Sequence, residues 1–270
     1  MNLGIENKIA LIIGSDSGIG LATAKTLAAE GCTLILSSRS EEKLKLAKQE
    51  ILKVNDQAAV YYHVCDIIKN AEVEALAEYT DRNFGGVDIV VNSAGARGAA
   101  GDFLELTDND WHETINVDLM GAVRICRAFI PQLKKKGWGR IVLIASENAF
   151  QPYEEESAYN ACKAAIINLS KCLSRIYGKD GILVNSVSPA YIETPMTDAM
   201  MEELAKEKNI SVEEAVEWFL KNKRPHIEVQ RRGQPDEVAA VITFLCSEKA
   251  SFVNGSNYRV DAGSVESAFS

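Results

Sequence analysis

Short apolar runs alternate with amphipathic, helical stretches along most of the chain, and this alternation restricts its fold more than any other feature. Seven runs have the length and composition of strands; in order they are KIALIIG, CTLILSS, AAVYYHVC, VDIVVNSAG, GRIVLIAS, GILVNSVSP and NYRV. Between them, helices are predicted at about 70–84 and 108–136, among others. Apolar strands separated by helices form parallel sheets covered on both faces. Residues 1–270 are therefore predicted to form a single α/β domain, a doubly wound parallel sheet of about seven strands.

Only the segment at about 190–234 interrupts this pattern. It follows the carboxyl end of the sixth predicted strand, where sheets of this kind bind ligands. Its middle places six apolar residues at the 3–4 spacing of one helix face or beside it: Val212, Ala215, Val216, Trp218, Phe219 and Leu220. We predict that this insertion is a substrate loop, a mobile lid whose helix closes over the site.

Composition excludes several classes of function. The formal net charge of −9 is unfavourable for binding nucleic acid, whose phosphates require a basic face. The chain has no run of 18 apolar residues, so no membrane span is predicted. The first apolar run passes directly into glycines, which indicates a buried strand rather than a signal peptide. Six scattered cysteines and three scattered histidines form no metal-ligand spacing, and they are typical of a cytoplasmic protein that has no metal site.

A glycine-rich loop joins the first predicted strand to the first helix. In IIGSDSGIG, Gly14 suits a tight turn, Gly18 allows a close approach of the backbone to a pyrophosphate, and Gly20 allows a helix to pack against a strand. The spacing differs from the common dinucleotide fingerprint, and glycines alone are also typical of structural turns. Because the loop lies between a strand and a helix, a nucleotide site in a Rossmann fold is the favoured interpretation.

The end of the second predicted strand indicates which dinucleotide is bound. An acidic residue there would bind the adenosine ribose hydroxyls and repel a 2′-phosphate. The strand instead ends in LSSRS, where Arg39 is a cation suited to phosphate and Ser38 and Ser40 add hydroxyl donors. NADP is therefore predicted in preference to NAD. The alternative is that Arg39 is an ordinary solvated arginine.

Tyr159 and Lys163 are separated by four residues in ESAYNACKAA, so both would lie on one face of a helix. By itself such a pair is typical of any amphipathic helix. An ammonium close to a phenol, however, lowers the phenol pKa from ~10 by ~1–3 units. The pair alone therefore leaves two interpretations open, an ordinary helix face and a Tyr159 that transfers a proton.

Together these motifs resemble the short-chain dehydrogenase/reductase family over essentially the whole chain, and most of all its 3-oxoacyl-[acyl-carrier-protein] reductases and sugar or polyol dehydrogenases. The family's N-N-A-G motif corresponds to NSAG at 92–95, its Tyr-x-x-x-Lys to YNACK, and its Pro-Gly to Pro189-Ala190. The resemblance implies that these residues bind the cofactor: Gly14, Ser15, Ser17, Gly18, Ile19, Gly20, Ser38, Arg39, Asp66, Ile67, Asn92, Ala94, Gly95, Tyr159, Lys163, Pro189, Ala190, Ile192 and Thr194.

The same resemblance implies a catalytic set of Ser146, Tyr159 and Lys163. Tyr159 would protonate the substrate oxygen, Ser146 would orient that oxygen, and Lys163 would hold the nicotinamide ribose. The family's fourth catalytic residue, an Asn, corresponds to Asp118 in VDLMG. The resemblance implies that the backbone carbonyl at this position holds a structural water of the proton relay, and any residue supplies that carbonyl. The Asp118 carboxylate, however, alters the charge near Lys163.

The resulting prediction is an NADP-dependent oxidoreductase that transfers a hydride between nicotinamide and the carbonyl or secondary alcohol of a small substrate. Substrate contacts are predicted for Ser146, Tyr159, Phe150 and Tyr191. Two alternatives remain open: an NAD-linked sugar, polyol or steroid-type alcohol dehydrogenase, and a non-catalytic module that senses NADP. The long helices at 108–136 and 157–180 indicate a homo-oligomer, a tetramer or a dimer.

Overall fold

Seven parallel strands form one sheet in the computed structural model, which describes residues 2–268. The strands are β1 (Ile9–Ile13), β2 (Thr33–Ser38), β3 (Val60–Val64), β4 (Ile89–Asn92), β5 (Gly139–Ile144), β6 (Ile182–Pro189) and β7 (Asn257–Val260). Their order across the sheet is β3-β2-β1-β4-β5-β6-β7. The predicted doubly wound α/β fold is therefore confirmed.

Nine α-helices connect or flank these strands in the described part of the chain. They are α1 (Gly18–Ala29), α2 (Glu41–Val54), α3 (Asn70–Phe84), α4 (Asp108–Ile115), α5 (Gly121–Lys136), α6 (Ser157–Tyr177), α7 (Pro195–Lys208), α8 (Val212–Lys223) and α9 (Pro235–Leu245). None of the helices within residues 2–268 is long and apolar enough to cross a membrane.

The core consists of two apolar layers, one on each face of the sheet. On one face, Leu27 of α1 and Ile242 of α9 pack with strand residues such as Leu36. On the other, Leu76 of α3 and Phe129 of α5 pack against Leu11 and its neighbours. Burial on both faces explains why the central strands are apolar throughout.

The strand order reverses between β1 and β4, which pair directly with Ile13 opposite Asn92. The connections from these two strands leave in opposite directions, so a crevice opens at their carboxyl ends. The glycine loop follows β1 at this point, and the NSAG motif begins with the last residue of β4. Both predicted cofactor motifs are thus brought to the same edge of the sheet.

The predicted helix at 108–136 is interrupted. Residues Asn116–Met120 form a π-helical turn between α4 and α5. A π turn adds one residue to the helical repeat, and such turns often occur at functional sites. Asp118 lies within this turn, so its direction could not be inferred from regular α-helical spacing.

The insertion at 190–234 contains two helices, whereas only the second, α8, was predicted. Proline at the first helical position and a capping box between Thr194 and Thr197 define the start of α7. The two helices enclose a small core of Tyr191, Met201, Phe219 and Ile227. Ala215 and Phe219 of the predicted apolar face of α8 are therefore buried, whereas Val212 of the same face is exposed.

Candidate active site

The glycine loop closely approaches the end of β4. Gly14 has a φ of 75°, a conformation that residues with a side chain rarely adopt. A Cβ atom there would lie 2.8 Å from the backbone nitrogen of Ala94. Only glycine therefore allows β1 and the NSAG segment to form the floor of one crevice.

A cleft of about 700 Å³ extends from this floor along the carboxyl edge of the sheet. Most of the predicted cofactor residues line it: Gly14, Ser17, Gly18, Ile19, Ser38, Arg39, Asp66, Ile67, Ala94, Gly95, Tyr159, Lys163, Pro189, Ala190, Ile192 and Thr194. Ser146 lines it as well. Three other predicted cofactor residues, Ser15, Gly20 and Asn92, are buried behind the lining.

The chemistry of the lining fits a dinucleotide. The start of α1 faces the cleft at Gly18, and helix N-termini offer free N–H groups to phosphates. The side-chain oxygen of Asn92 is buried without a hydrogen-bond partner among the described residues. Buried polar atoms are almost always paired, so an unpaired oxygen just behind the lining marks this end of β4 as a functional rather than a purely structural position. The cleft residues therefore fit the cofactor that the sequence predicts.

Two cations lie at one end of the cleft. Arg39 follows β2 and is exposed, and Lys43 lies one turn later in α2. Ser40 caps this helix, because its hydroxyl accepts a hydrogen bond from the Lys43 backbone at 3.3 Å. Lys43 was not predicted as a site residue. Its signal in the sequence is its i+4 position relative to Arg39, at the start of the helix that follows the strand.

The Ser146 hydroxyl is held by a neighbouring amide. It donates to Oδ1 of Asn148 at 3.0 Å and accepts a hydrogen bond from the Asn148 backbone at 3.3 Å. The Asn148 amide nitrogen in turn donates to Glu156 at 2.6 Å and to Asn160 at 2.8 Å. Asn148 was not predicted, because its role depends on contacts with residues that follow it by 8 and 12 positions.

Lys163 makes a direct, buried ion pair with Asp118. Its Nζ atom lies 3.2 Å from Oδ1 of Asp118, and it also donates to the backbone oxygen of Ile144 at 3.3 Å. The same carboxylate oxygen accepts a hydrogen bond from the backbone of Ala96 at 3.2 Å. A Cβ atom on Gly95 would lie 2.8 Å from it. The pair is therefore enclosed by the NSAG segment, α6 and the π turn.

Tyr159 lies within reach of this pair, with the Lys163 ammonium 5.2 Å from the centre of its ring. The pKa of Tyr159 is raised above its ordinary value, mainly because the phenol is buried. The Lys163 ammonium and a hydrogen bond with Ser146 lower this pKa, whereas the Asp118 carboxylate raises it. Lys163 thus acts in the predicted direction. The predicted net decrease in the phenol pKa is nevertheless wrong for the protein without a bound cofactor, because burial and the Asp118 carboxylate outweigh the ammonium.

The ammonium itself remains charged. Burial alone would lower the pKa of Lys163, but Tyr159 and the Asp118 carboxylate reverse this effect, so that the pKa is raised. Another titratable group in the cleft is inert: burial raises the pKa of the Cys65 thiol to about 12. Cys65 is therefore not a nucleophile at neutral pH.

A second buried ion pair joins the Ser146 loop to the insertion. Nε of Arg224, at the end of α8, donates to Oε1 of Glu147 at 3.2 Å, and both side chains are almost fully buried. The guanidinium also lies 3.3 Å above the centre of the Tyr153 ring. The sequence does not reveal this contact, because 77 positions separate the two charges.

Comparison with known proteins identifies the family. The family model described as enoyl-(acyl carrier protein) reductase matches residues 13–264. The chain is 34% identical over 262 residues to D-beta-hydroxybutyrate dehydrogenase of Cupriavidus necator. That alignment covers 96% of this chain and 98% of the dehydrogenase. It is 30% identical over 259 residues to dehydrogenase/reductase SDR family member 4 of Oryctolagus cuniculus, covering 96% and 94%.

The chain belongs to the short-chain dehydrogenase/reductase family. Among solved structures, L-sorbose reductase from Gluconobacter frateurii, complexed with NADPH and L-sorbose, superposes with a TM-score of 0.93. The two chains are 34% identical, and the alignment covers 99% of this chain and 100% of that one. This short-chain dehydrogenase/reductase is accordingly an NAD(P)-dependent oxidoreductase.

Two residues predicted to contact substrate lie away from the cleft of this short-chain dehydrogenase/reductase. The side chain of Tyr191 packs against Phe219, with ring centres 4.9 Å apart, and it lines a separate cavity of about 380 Å³. Burial raises the pKa of Tyr191 to about 12. Phe150 is half-buried at the end of the Ser146 loop and does not line the cleft either. The structure thus does not bring these two aromatic residues to the catalytic groups.

Proposed function

We propose that this protein is an NADPH-dependent reductase of a small ketone, which can also oxidise the corresponding secondary alcohol. The observation that carries the proposal is that Ser146, Tyr159 and Lys163 line one cleft with the glycine loop. A hydroxyl, a phenol and an ammonium at the nicotinamide end of such a cleft are the groups that carbonyl reduction requires. The intact set also argues against a module that only senses NADP.

The protein residues position the substrate and move one proton. When bound, the cofactor supplies a hydride to the carbonyl carbon. Ser146, whose hydroxyl is fixed by Asn148, donates a hydrogen bond to the carbonyl oxygen. Tyr159 donates its proton to the same oxygen as the negative charge develops there, which completes the alcohol. Lys163 stabilises the resulting phenolate and binds the ribose hydroxyls next to the nicotinamide.

NADP(H) is the cofactor of this reaction. The end of β2 carries no acidic side chain that would repel a 2′-phosphate, and Arg39 and Lys43 both line the cleft nearby. The NADPH complex of L-sorbose reductase supports the same assignment. An NAD-linked dehydrogenase is the alternative, and the cofactor preference of the purified enzyme distinguishes the two.

The substrate is a small polar ketone. The Ser146 hydroxyl belongs to a hydrogen-bonded group with Asn148 and Glu156, and the guanidinium of Arg97 lies 4.0 Å from Glu156. Such groups suit the hydroxyls of a ketose better than an apolar acyl chain. NADPH oxidation should be measured with L-sorbose and a 3-oxoacyl thioester, and NADP reduction with D-β-hydroxybutyrate.

The decisive test replaces Tyr159. We predict that Tyr159→Phe lowers kcat by at least ~10²-fold, because a general acid contributes ~10²–10⁴-fold, while the affinity for NADPH is nearly unchanged. Tyr177→Phe, at the other end of α6, is the matched control and should retain full activity. A Tyr159→Phe enzyme that keeps more than about a tenth of the wild-type rate would contradict the assigned role.

We also propose that the protein is a cytoplasmic homo-oligomer. All six cysteines are free thiols, and five of them are buried, which is compatible with a reducing compartment. The outer side of α6 has several small exposed residues, which would allow a second copy to pack closely.

A further inference from the structure

The Asp118 carboxylate forms an ion pair with Lys163 and does not contact solvent. Its side chain has no exposed surface, and that of Lys163 is only 6% exposed. Oδ1 contacts the ammonium at 3.2 Å, whereas Oδ2 is buried without a hydrogen-bond partner among the described residues. A buried charge pair is little screened by water, so each charge acts strongly on its neighbours.

The neighbour affected is the phenol of Tyr159, which shares helix α6 with Lys163. The charged or titratable groups that face it come from several elements. Lys163 lies on α6, Asp118 on the π turn, and Glu156 just before α6. Lys163 is the only cation among the groups that act on the phenol, and Asp118, which pairs with it, acts in the opposite direction.

We propose that Asp118 is a positioning residue that, through its ion pair with Lys163, keeps Tyr159 in its protonated form and so favours carbonyl reduction at neutral pH. This inference rests on the proposed function. Reduction requires a protonated Tyr159, because the phenol donates the proton. Alcohol oxidation requires the phenolate, which accepts it. A carboxylate next to the ammonium removes part of the positive charge that would stabilise the phenolate.

The sign of the pH effect follows from this geometry. Asp118 raises the pKa of Tyr159. Reductive kcat/KM should therefore persist to high pH, and oxidative kcat/KM should increase only as pH rises through the phenol pKa. If the carboxylate is removed, the phenol ionises at lower pH. The pH at which reductive kcat/KM falls and the pH at which oxidative kcat/KM rises, the two limbs of the pH profile, then both become lower. Oxidation therefore gains activity near neutrality.

The experiment compares Asp118→Asn with the wild type in both directions over a range of pH. Asparagine has nearly the same shape, so it fits beside Gly95 and still accepts a hydrogen bond from Lys163. We expect both limbs to move down by about one pH unit, given ~1–3 units for a charge in direct contact. Oxidation at neutral pH should increase by up to ~10-fold. Limbs that do not move, or that move upward, overturn the proposal.

Asp88→Asn is the matched control. Asp88 is also a buried carboxylate paired with a lysine, with Oδ1 3.1 Å from Nζ of Lys136. It lies just before β4, at the amino-terminal ends of the strands and therefore away from the cleft. Both variants lose a paired carboxylate, and both lose similar thermal stability if that loss is purely structural. Only Asp118→Asn should shift the pH limbs. Equal shifts in the two variants would contradict the positioning role.

A measurement on the wild type keeps the proposal testable even if Asp118→Asn does not fold. The ultraviolet phenolate titration of the wild type minus that of Tyr159→Phe isolates the ionisation of Tyr159. We expect its midpoint above ~10, the value of a free tyrosine. A midpoint below that value overturns the inference about Asp118. Failure of the proposed function is separate, because it would appear as an active Tyr159→Phe enzyme.

Discussion

Arg39 and Lys43 illustrate how single residues determine cofactor choice. Both are exposed side chains of one strand–helix connection, and both line the end of the cleft that the 2′-phosphate of NADP would occupy. An arginine offers a planar pair of donors that matches a phosphate, whereas a lysine offers a point charge. Arg39 should therefore provide most of the discrimination between the two dinucleotides, and Lys43 should assist.

We predict that Arg39→Ala raises the KM for NADPH by about 10-fold and leaves the KM for NADH nearly unchanged, because only NADPH carries the phosphate. Lys43→Ala should have the same selectivity and a smaller effect. Lys45→Ala is the matched control, since Lys45 lies on the same helix but pairs with Glu41 at 2.9 Å. An equal increase in KM for both cofactors would make Arg39 a structural residue.

The residues that the sequence predicted correctly at the cleft belong to local patterns. The glycine loop and the Tyr159–Lys163 pair each lie within one loop or one helical turn, where spacing determines direction. Of the residues that were missed, Lys43 lies in the same strand–helix connection as Arg39, whereas Asn148 depends on contacts across the chain. Asn148 acts through α6. The resemblance indicated a carboxylate at Asp118 near Lys163, but their direct ion pair joins residues 45 positions apart across a π turn. No sequence periodicity encodes these contacts, because they are formed only when the elements pack.

At the scale of elements, the insertion is attached to the catalytic region at two points. The base of α7 contacts the glycine loop, because a Cβ atom on Gly18 would lie 3.1 Å from the Thr194 side chain. The end of α8 is bound to the Ser146 loop by the buried pair of Arg224 and Glu147. Between these two points the insertion packs around its own small core, so a closing movement would carry both helices together.

We predict that NADP together with a substrate analogue slows hydrogen exchange across residues 196–230, because a closed lid excludes water from the site. Exchange is measured by mass spectrometry with and without the ligands. If protection there is already complete in the ligand-free protein, the two helices are a fixed element and the lid hypothesis fails.

Arg224→Met tests the attachment itself. The variant leaves Glu147 buried without its cation, which typically costs about 3–5 kcal/mol. We expect faster exchange in α8 and weaker protection by the ligands. Arg231→Met is the control, because Arg231 forms an exposed pair with Glu237 that should contribute only about 0–1 kcal/mol. Equal exchange in the two variants would show that Arg224 does not hold the lid.

At the scale of the whole molecule, the sheet was predictable because its strands follow a simple physical rule. Strands such as LILSS and IVVN are buried on both faces, so their apolar runs are visible in the sequence. Helix α7 was missed because its sequence, PMTDAMMEELAKEK, has only a weak apolar face and buries just Met201 and Ala205.

The last prediction concerns assembly. The outer side of α6 is exposed at Ala161, Ala164, Asn168 and Cys172, which recur at the 3–4 spacing of one helix face. Small side chains at this spacing allow two helices to pack closely, so we expect sedimentation analysis to give two or four times the mass of one chain. Asn168→Arg places a long charged side chain in the middle of this face and should lower the mass towards that of a monomer. Gln49→Arg, on the exposed side of α2, should not. An assembly that is indifferent to Asn168→Arg would place the interface on another surface, and a monomeric wild type would refute the oligomer itself.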